Sequence, residues 1–366
     1  MLAELLFAFA VAYFIKMFIF GIAVFRAQYP SDPHYRPSVA IIIAARNEEH
    51  NIGRCLSSIV SLSYPRHLLE VVVVDDRSTD RTGVIVREFT QQFNHIRLVT
   101  AAPSTGNLRG KTNAVTQGIE ASKGEILLFT DADCAVPIRW VEETVKYYTN
   151  GIGIVAGFTA LRNTNWFEAI QALDWFILFS VAAATIRLKH PVTAVGNNLS
   201  VKRAAYEKVG GYRSIPFSVT EDYALFHAIT THTTYQARFP VDPRTLVESE
   251  PCKRWEDLYR QKKRWFTGGR GMDVKSLLLF AIPYVLNLLL IVCVFFGASM
   301  AMLVSGVLKV SVDLLLVYPS LRRFGRLELV RYFLLFELYY ILYVLIFPII
   351  VLFGNEVMWK ERKFAE

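Results

Sequence analysis

The apolar run Ile126-Leu127-Leu128-Phe129 ends in Thr130-Asp131-Ala132-Asp133, which places two carboxylates one residue apart. Unpartnered carboxylates are costly to bury, so packing explains this pair poorly. A hard divalent cation explains it well: Asp133 with Asp131 would grip Mg2+ or Mn2+ while the cation grips a diphosphate. The chemistry indicated is that of sugar nucleotides.

A second acidic pair, Asp75-Asp76, follows directly on Val71-Val72-Val73-Val74. Ser78 and Asp80 suit a helix N-cap, which accounts for Asp80 but not for the adjacent pair. Asp75 and Asp76 are placed to meet the N–H of a uracil-type base and a ribose hydroxyl. Gly106-Asn107-Leu108-Arg109-Gly110-Lys111-Thr112 resembles a phosphate-binding P-loop, with Asp131 posing as its Mg2+ aspartate. That pattern needs four residues between its glycines and here there are three, which weakens a kinase-like ATPase reading. Lys111, at a helix start, still puts an ammonium near a diphosphate.

Three further clusters each carry two readings. Val195-Gly196-Asn197-Asn198-Leu199-Ser200 is a plain turn, or a loop whose glycine lets backbone approach a ligand. Thr220-Glu221-Asp222 is an acidic helix N-terminus, or the seat of a general base, Asp222, that takes a proton from an acceptor hydroxyl. Gln261-Lys262-Lys263-Arg264-Trp265 is a membrane-surface helix with a tryptophan anchor, or a set in which Arg264 faces a leaving diphosphate and Trp265 offers an acceptor a flat face.

Such residues need a scaffold that gathers strand ends. From about Pro37 to Gly271, short apolar runs alternate with helical patterns. Val39 to Ala44 precedes an amphipathic stretch from Glu48 to Ile59, and Val71 to Val74 precedes a helix from near Asp80. His95 to Thr100 and Ile126 to Phe129 flank a helix from Thr112 to Ala121. Strands apolar throughout are buried on both faces, so the expected class is α/β with a mostly parallel sheet between helices. Ligands of such sheets sit at the carboxyl ends of the strands, where these motifs lie.

The rest of the chain reads as membrane. Of 366 residues, 53% are hydrophobic, and the mean hydropathy of +0.32 exceeds what a soluble α/β domain needs. Residues 1–26 form an expected anchor, interrupted by Lys16, whose head can reach toward the interface. An interfacial helix is the other reading of this segment. No basic stretch precedes the run and no small-residue cleavage site follows it, so a cleaved signal peptide is not expected. Residues 276–354 supply expected C-terminal transmembrane segments, with a fold-back near Gly297 and the basic stretch Arg322-Arg323-Phe324-Gly325-Arg326 between segments. Positive-inside bias puts residues 37–271 in the cytoplasm, yet a full last crossing would leave the basic tail, residues 355–366, outside. Pro348 marks where that segment would bend or re-enter. The net charge of +8 sits beside apolar segments, at Lys253, Arg254, Arg260, Lys262, Lys263, Arg264 and Arg270, which indicates anionic lipid rather than nucleic acid. Four scattered cysteines form no metal or disulfide pattern.

The order Asp75-Asp76, Asp131-Ala132-Asp133, Thr220-Glu221-Asp222 and Gln261-x-x-Arg264-Trp265, between two apolar ends, resembles the membrane-bound family 2 inverting glycosyltransferases. The resemblance covers residues 37–271 and implies a GT-A fold in an integral protein of the bacterial inner membrane, with its catalytic domain cytoplasmic. It implies a nucleotide sugar held by Ala44, Arg46, Glu48, Asp75, Asp76, Lys111 and Asp131, a metal held by Asp133 and Asp131, and Asp222 as base. Glu221, Gln261, Arg264 and Trp265 would line the acceptor and diphosphate side. Two departures stand out: Ala44-Ala45-Arg46 lacks the usual proline, and Glu361 stands where related lipid glycosyltransferases often carry glycine.

From these roles the expected reaction is a single displacement that carries a sugar from a UDP-hexose to a hydroxyl of a membrane lipid as a β-glycoside. UDP-N-acetylglucosamine and GDP-sugars fit the same residues. The rival enzyme is a processive polysaccharide synthase, for which about four spans are few. The rival outside catalysis is an inactive membrane-anchored scaffold, which the intact carboxylates oppose.

Overall fold

The computed structural model describes residues 2–269, 274–296, 300–352, 356–359 and 362–365. The expected domain end at Gly271, the turn near Gly297 and the departure at Glu361 lie outside the described residues.

The chain begins with α1 (Leu2–Phe25). The sheet lobe follows as β1 (Val39–Ala45), α2 (Ile52–Val60), β2 (Leu69–Asp75), α3 (Thr82–Gln92), β3 (Ile96–Thr100), α4 (Gly110–Glu120), β4 (Ile126–Phe129), α5 (Trp140–Val145), β5 (Ile152–Ala156) and β6 (Thr159–Leu161). It continues through α6 (Trp166–Arg187), β7 (Leu199–Lys202), α7 (Arg203–Lys208), α8 (Gly211–Ser214), α9 (Glu221–His232), β8 (Gln236–Arg238), β9 (Val247–Ser249) and α10 (Trp255–Gly268). Then come α11 (Val274–Phe295), α12 (Met300–Arg323), α13 (Phe333–Leu352) and a hairpin of β10 (Glu356–Trp359) with β11 (Arg362–Ala365).

The main sheet runs β3-β2-β1-β4-β7-β5-β8. Its first four strands are parallel, in keeping with the apolar runs of β1, β4 and the centre of β2, and β7 is reversed between β4 and β5. Strand side chains alternate between two cores. Ile41, Ile43, Val71 and Val73 face α2 and α5, while Ile42, Val72 and Val74 face a larger core that includes α6 and runs on into α1 and α12. Sheet and membrane bundle therefore share one apolar interior. α6 is long and apolar enough to span a bilayer, yet 89% of its most apolar window is buried. It forms the floor between sheet and bundle.

Prolines explain two odd features of that bundle. Pro283 in α11 has no N–H for the carbonyl of Leu279, and Lys16 Nζ of α1 donates to that oxygen at 2.8 Å. Lys16 thus completes a neighbouring helix. Pro319 likewise frees the carbonyl of Leu315, and α1 passes it at Gly21, where an added Cβ would sit 3.3 Å from that oxygen.

The last apolar segment, Leu327–Leu352, is flanked on both sides by contacts to the sheet lobe. Before it, Arg323 donates to the Val241 carbonyl and Arg326 pairs with Glu248. After it, Arg362 pairs with Asp76. Both flanks of this segment, and with them Arg362 of the basic tail, thus rest on the sheet lobe.

Candidate active site

The sheet's carboxyl edge assembles the motifs. The loops after β1 and β2 are stitched together: Asn47 N donates to Ser78 Oγ at 3.1 Å, Thr79 N to Asn47 Oδ1 at 2.9 Å, and Glu49 N to Asp80 Oδ2 at 3.0 Å. Asn47 and Arg77 take left-handed backbone, with φ of 52° and 57°, a strain that concentrates at functional edges. Arg46 braces the second loop by donating to the carbonyls of Asp76 and Arg77, and Glu48 accepts from Asn51. Ala44 pairs with Val74 within the strands, so it contributes backbone rather than side chain.

The structure separates the two members of the first acidic pair. Asp75 accepts from the Ser78 amide at 2.9 Å and lies against Gly83, so it shapes the loop. Asp76 is 3% exposed. Burial raises its pKa, and Arg362, at 2.7 Å, partly offsets that. Sequence reasoning missed Arg362, since nothing in a basic tail signals a return to the far edge of the sheet. Two buried polar atoms at this edge, Arg46 Nε and Thr130 Oγ1, have no protein partner among the described residues, as expected where a ligand or water completes a site.

Asp131 and Asp133 lie in the turn after β4. Lys111, in the first turn of α4, bridges Asp131 Oδ1 at 2.7 Å and Glu221 Oε1 at 2.9 Å. Burial alone would lower the lysine's pKa, but the charges of Asp131, Glu221 and Asp222 overcome it and the ammonium is held well above its usual range. The expected phosphate contact is thus first a strut between the acidic motifs. Asp133 is steadied by Ser249 Oγ at 3.4 Å and Cys134 Sγ at 3.5 Å, and Arg54 donates to its carbonyl. No group of three or more His, Cys, Asp or Glu side chains placed to hold a metal ion by themselves occurs among the described residues. Two hard carboxylates beside an ammonium are the donor set that would hold Mg2+ or Mn2+, leaving room for diphosphate oxygens and water.

Asp222 sits in the first turn of α9. Its Oδ2 accepts from Gly196 N at 2.6 Å and its Oδ1 from Tyr223 N at 2.8 Å. The glycine loop before β7 therefore approaches Asp222 itself: a Cβ at Gly196 would lie 3.0 Å from Asp222 Cβ. Burial first, then the charge of Glu221, push the Asp222 carboxyl up to about 6, against the opposing pull of Lys111. That is a value suited to a base working near neutrality.

α10 closes the site. Gly268 packs so tightly on Thr220 that an added Cβ would meet its Oγ1 at 2.1 Å, which locks this helix to the loop carrying Glu221 and Asp222. Gln261, Arg264 and Trp265 ride on the same helix. Arg264 Nη1 approaches the Val219 carbonyl at 3.4 Å, and Trp265 lies 5.8 Å from Trp175 of α6. Lys262, between them in sequence, is fully buried in an ion pair with Asp174 of α6. A pocket opens between Lys111, Glu221 and Arg264, walled also by Arg109, Phe217 and Val357. Sequence reasoning did not find Phe217 or Val357, which carry no motif, and it quoted Arg109 in the P-loop-like stretch without giving it a role.

Comparisons with known proteins bear on the family and the fold. Residues 40–210 match glycosyl transferase family 2, and residues 126–354 match glycosyl transferase family group 2. A probable glycosyltransferase from Bacillus subtilis is 29% identical over 67% of this chain and 58% of its own length. A beta-monoglucosyldiacylglycerol synthase from Synechocystis is 30% identical over 64% of this chain and 48% of its own. The chain thus spans about half the length of these curated relatives. A mannosyltransferase from Pyrobaculum calidifontis, solved with GDP-Man and Mn2+, superposes with a TM-score of 0.59 at 22% identity, over 91% of this chain and 99% of that one. The fold is GT-A, and the chain belongs to glycosyl transferase family group 2, whose model spans more than half of it.

Proposed function

We propose that the protein transfers a hexose from a nucleotide sugar, a UDP-hexose, to a hydroxyl of a membrane lipid, with inversion, to give a β-glycoside. The observation that carries this reading is the unbroken chain Asp131, Lys111, Glu221 and Asp222, which ties the diphosphate end of the site to a single base. Asp76 would accept from the donor's base, and Asp131 with Asp133 would hold the cation. When bound, Mg2+ or Mn2+ neutralises charge on the departing diphosphate. Asp222, held by two backbone amides, takes the proton of the incoming hydroxyl on the face opposite the leaving group. Arg264 and Lys111 keep positive charge beside the diphosphate as it leaves. One base on one face supports direct displacement rather than a covalent intermediate. The lipid acceptor is supported by the apolar interior shared by lobe and bundle and by the diacylglycerol relative.

The test incubates membranes containing the protein with radiolabelled sugar nucleotides and Mn2+ and extracts them with organic solvent. Metal-dependent label in the lipid phase is expected, reduced about 10²- to 10⁴-fold by Asp222→Asn with donor binding retained. Label confined to ethanol-insoluble polymer would overturn the lipid acceptor in favour of a synthase, and near-normal turnover in Asp222→Asn would overturn the base.

A further inference from the structure

The lobe carries an exposed aromatic cluster whose residues do not line the pocket. Trp166 is 48% exposed and Trp255 53% exposed. Their rings lie 6.3 Å apart, with Phe167 packed against Trp255 at 4.4 Å. Exposed tryptophans grouped on one surface call for a partner, and tryptophan is enriched where protein meets the headgroup layer.

Charge on the same surface is layered. Lys253 pairs with Glu168, Arg254 with Asp257 and Arg162 with Glu250. In each pair the cation is the outer member: the cationic side chains are 61%, 67% and 56% exposed, their partners 5%, 36% and 24%. The pairs are neutral by count but present ammonium and guanidinium heads outward. The charge read earlier from this stretch is thereby resolved, because Lys262 is buried.

α6 rests on the end of α12 through Ser180 and Ser320 and through Phe176 and Phe324. Trp166 lies fourteen residues upstream of Ser180 on the same helix, roughly 21 Å along it at the helical rise. Tyr259, one turn beyond Trp255, packs against Phe347 of α13 at 5.7 Å, and α13 shows an exposed apolar row at Leu338, Leu342, Ile346 and Ile349. The aromatic cluster therefore continues an apolar surface of membrane character.

We infer that Trp166, Phe167 and Trp255, with Lys253, Arg254 and Arg162, form a second foothold on the bilayer that binds anionic phospholipid headgroups. The foothold lies at the N-terminal ends of α6 and α10, and α10 carries Gln261, Arg264 and Trp265. Seating it fixes the acceptor side of the site against the leaflet, so transfer becomes dependent on anionic lipid. The inference rests on the membrane-bound reading but not on which lipid is glycosylated.

The test reconstitutes the full chain in phosphatidylcholine vesicles, with and without phosphatidylglycerol. Tryptophan emission is followed with lipids brominated near the headgroup end of the acyl chain, in the wild type and in Trp166→Phe/Trp255→Phe. Loss of a quenchable component in the variant is expected; identical quenching in both proteins would place these rings in water and overturn the foothold. In parallel, sugar transfer should rise with phosphatidylglycerol, fall with salt, and lose about fivefold of that rise for each outward cation removed, the effect of one charge near an anionic surface. Lys253→Gln/Arg254→Gln is the main variant. Arg254→Gln alone, whose partner Asp257 is the most exposed of the three carboxylates, serves if the double variant does not fold. A phosphatidylglycerol response unchanged in the variant, or matched by free phosphate in phosphatidylcholine vesicles, would overturn the lipid assignment. Quenching needs no turnover, so it reports on the foothold even if the transfer reading fails.

Discussion

At the scale of single residues, the site turns on how one carboxylate is kept basic. Asp222 must be ionised to accept a proton, and burial together with Glu221 places its pKa near 6. The acid limb of a kcat/KM profile should therefore bend near pH 6, with the rate falling about tenfold per unit below it. Glu221 raises this pKa and Lys111 lowers it. Glu221→Gln should accordingly move the bend to lower pH, and Lys111→Met should move it higher; a bend that stays in place in both would separate Asp222 from the observed titration. Much of this was legible in the sequence, because paired carboxylates at strand ends have few structural uses. The division of labour was not. Asp75 turned out to shape its loop and Asp76 to face the tail, and both facts depend on a left-handed turn at Arg77 and on a strand that arrives from far along the chain.

At the scale of elements, α10 is held in place by burial rather than by propensity. Its inward face fixes Lys262 to Asp174 of α6 at 1% and 7% side-chain exposure, with the ammonium also over the rings of Trp265 and Tyr343. Removing one partner strands a buried charge, so Asp174→Asn should cost about 3 kcal/mol of stability, read as a lower thermal unfolding midpoint in detergent. An unchanged midpoint would mean the pair is hydrated. Strand runs and helix positions followed from apolar patterning, and the helices after β1, β2 and β3 fall within a few residues of expectation. Residues 166–186 have the composition of a span or of a buried helix alike. Only the neighbours decide, since apolar surface is satisfied equally by lipid and by a sheet.

At the scale of the whole molecule, the lobe and the bundle form one body, and the chain's last segment leaves the lobe and comes back to it. Residues flanking Leu327–Leu352 should therefore label from the same side of the membrane. A cysteine placed in the tail and another on the lobe's exposed surface should both react with an impermeant maleimide in inside-out vesicles, and neither in right-side-out ones. Opposite sidedness would restore a full crossing. The sequence pattern contained the conflict between a fourth span and a basic tail, but hydropathy counts length and cannot see a return path. The most direct measurement of the central claim, one base driving one displacement, is the anomeric configuration of the product made from an α-linked nucleotide sugar. The proton coupling at the anomeric carbon should show a β-glycoside; an α-glycoside would contradict the account.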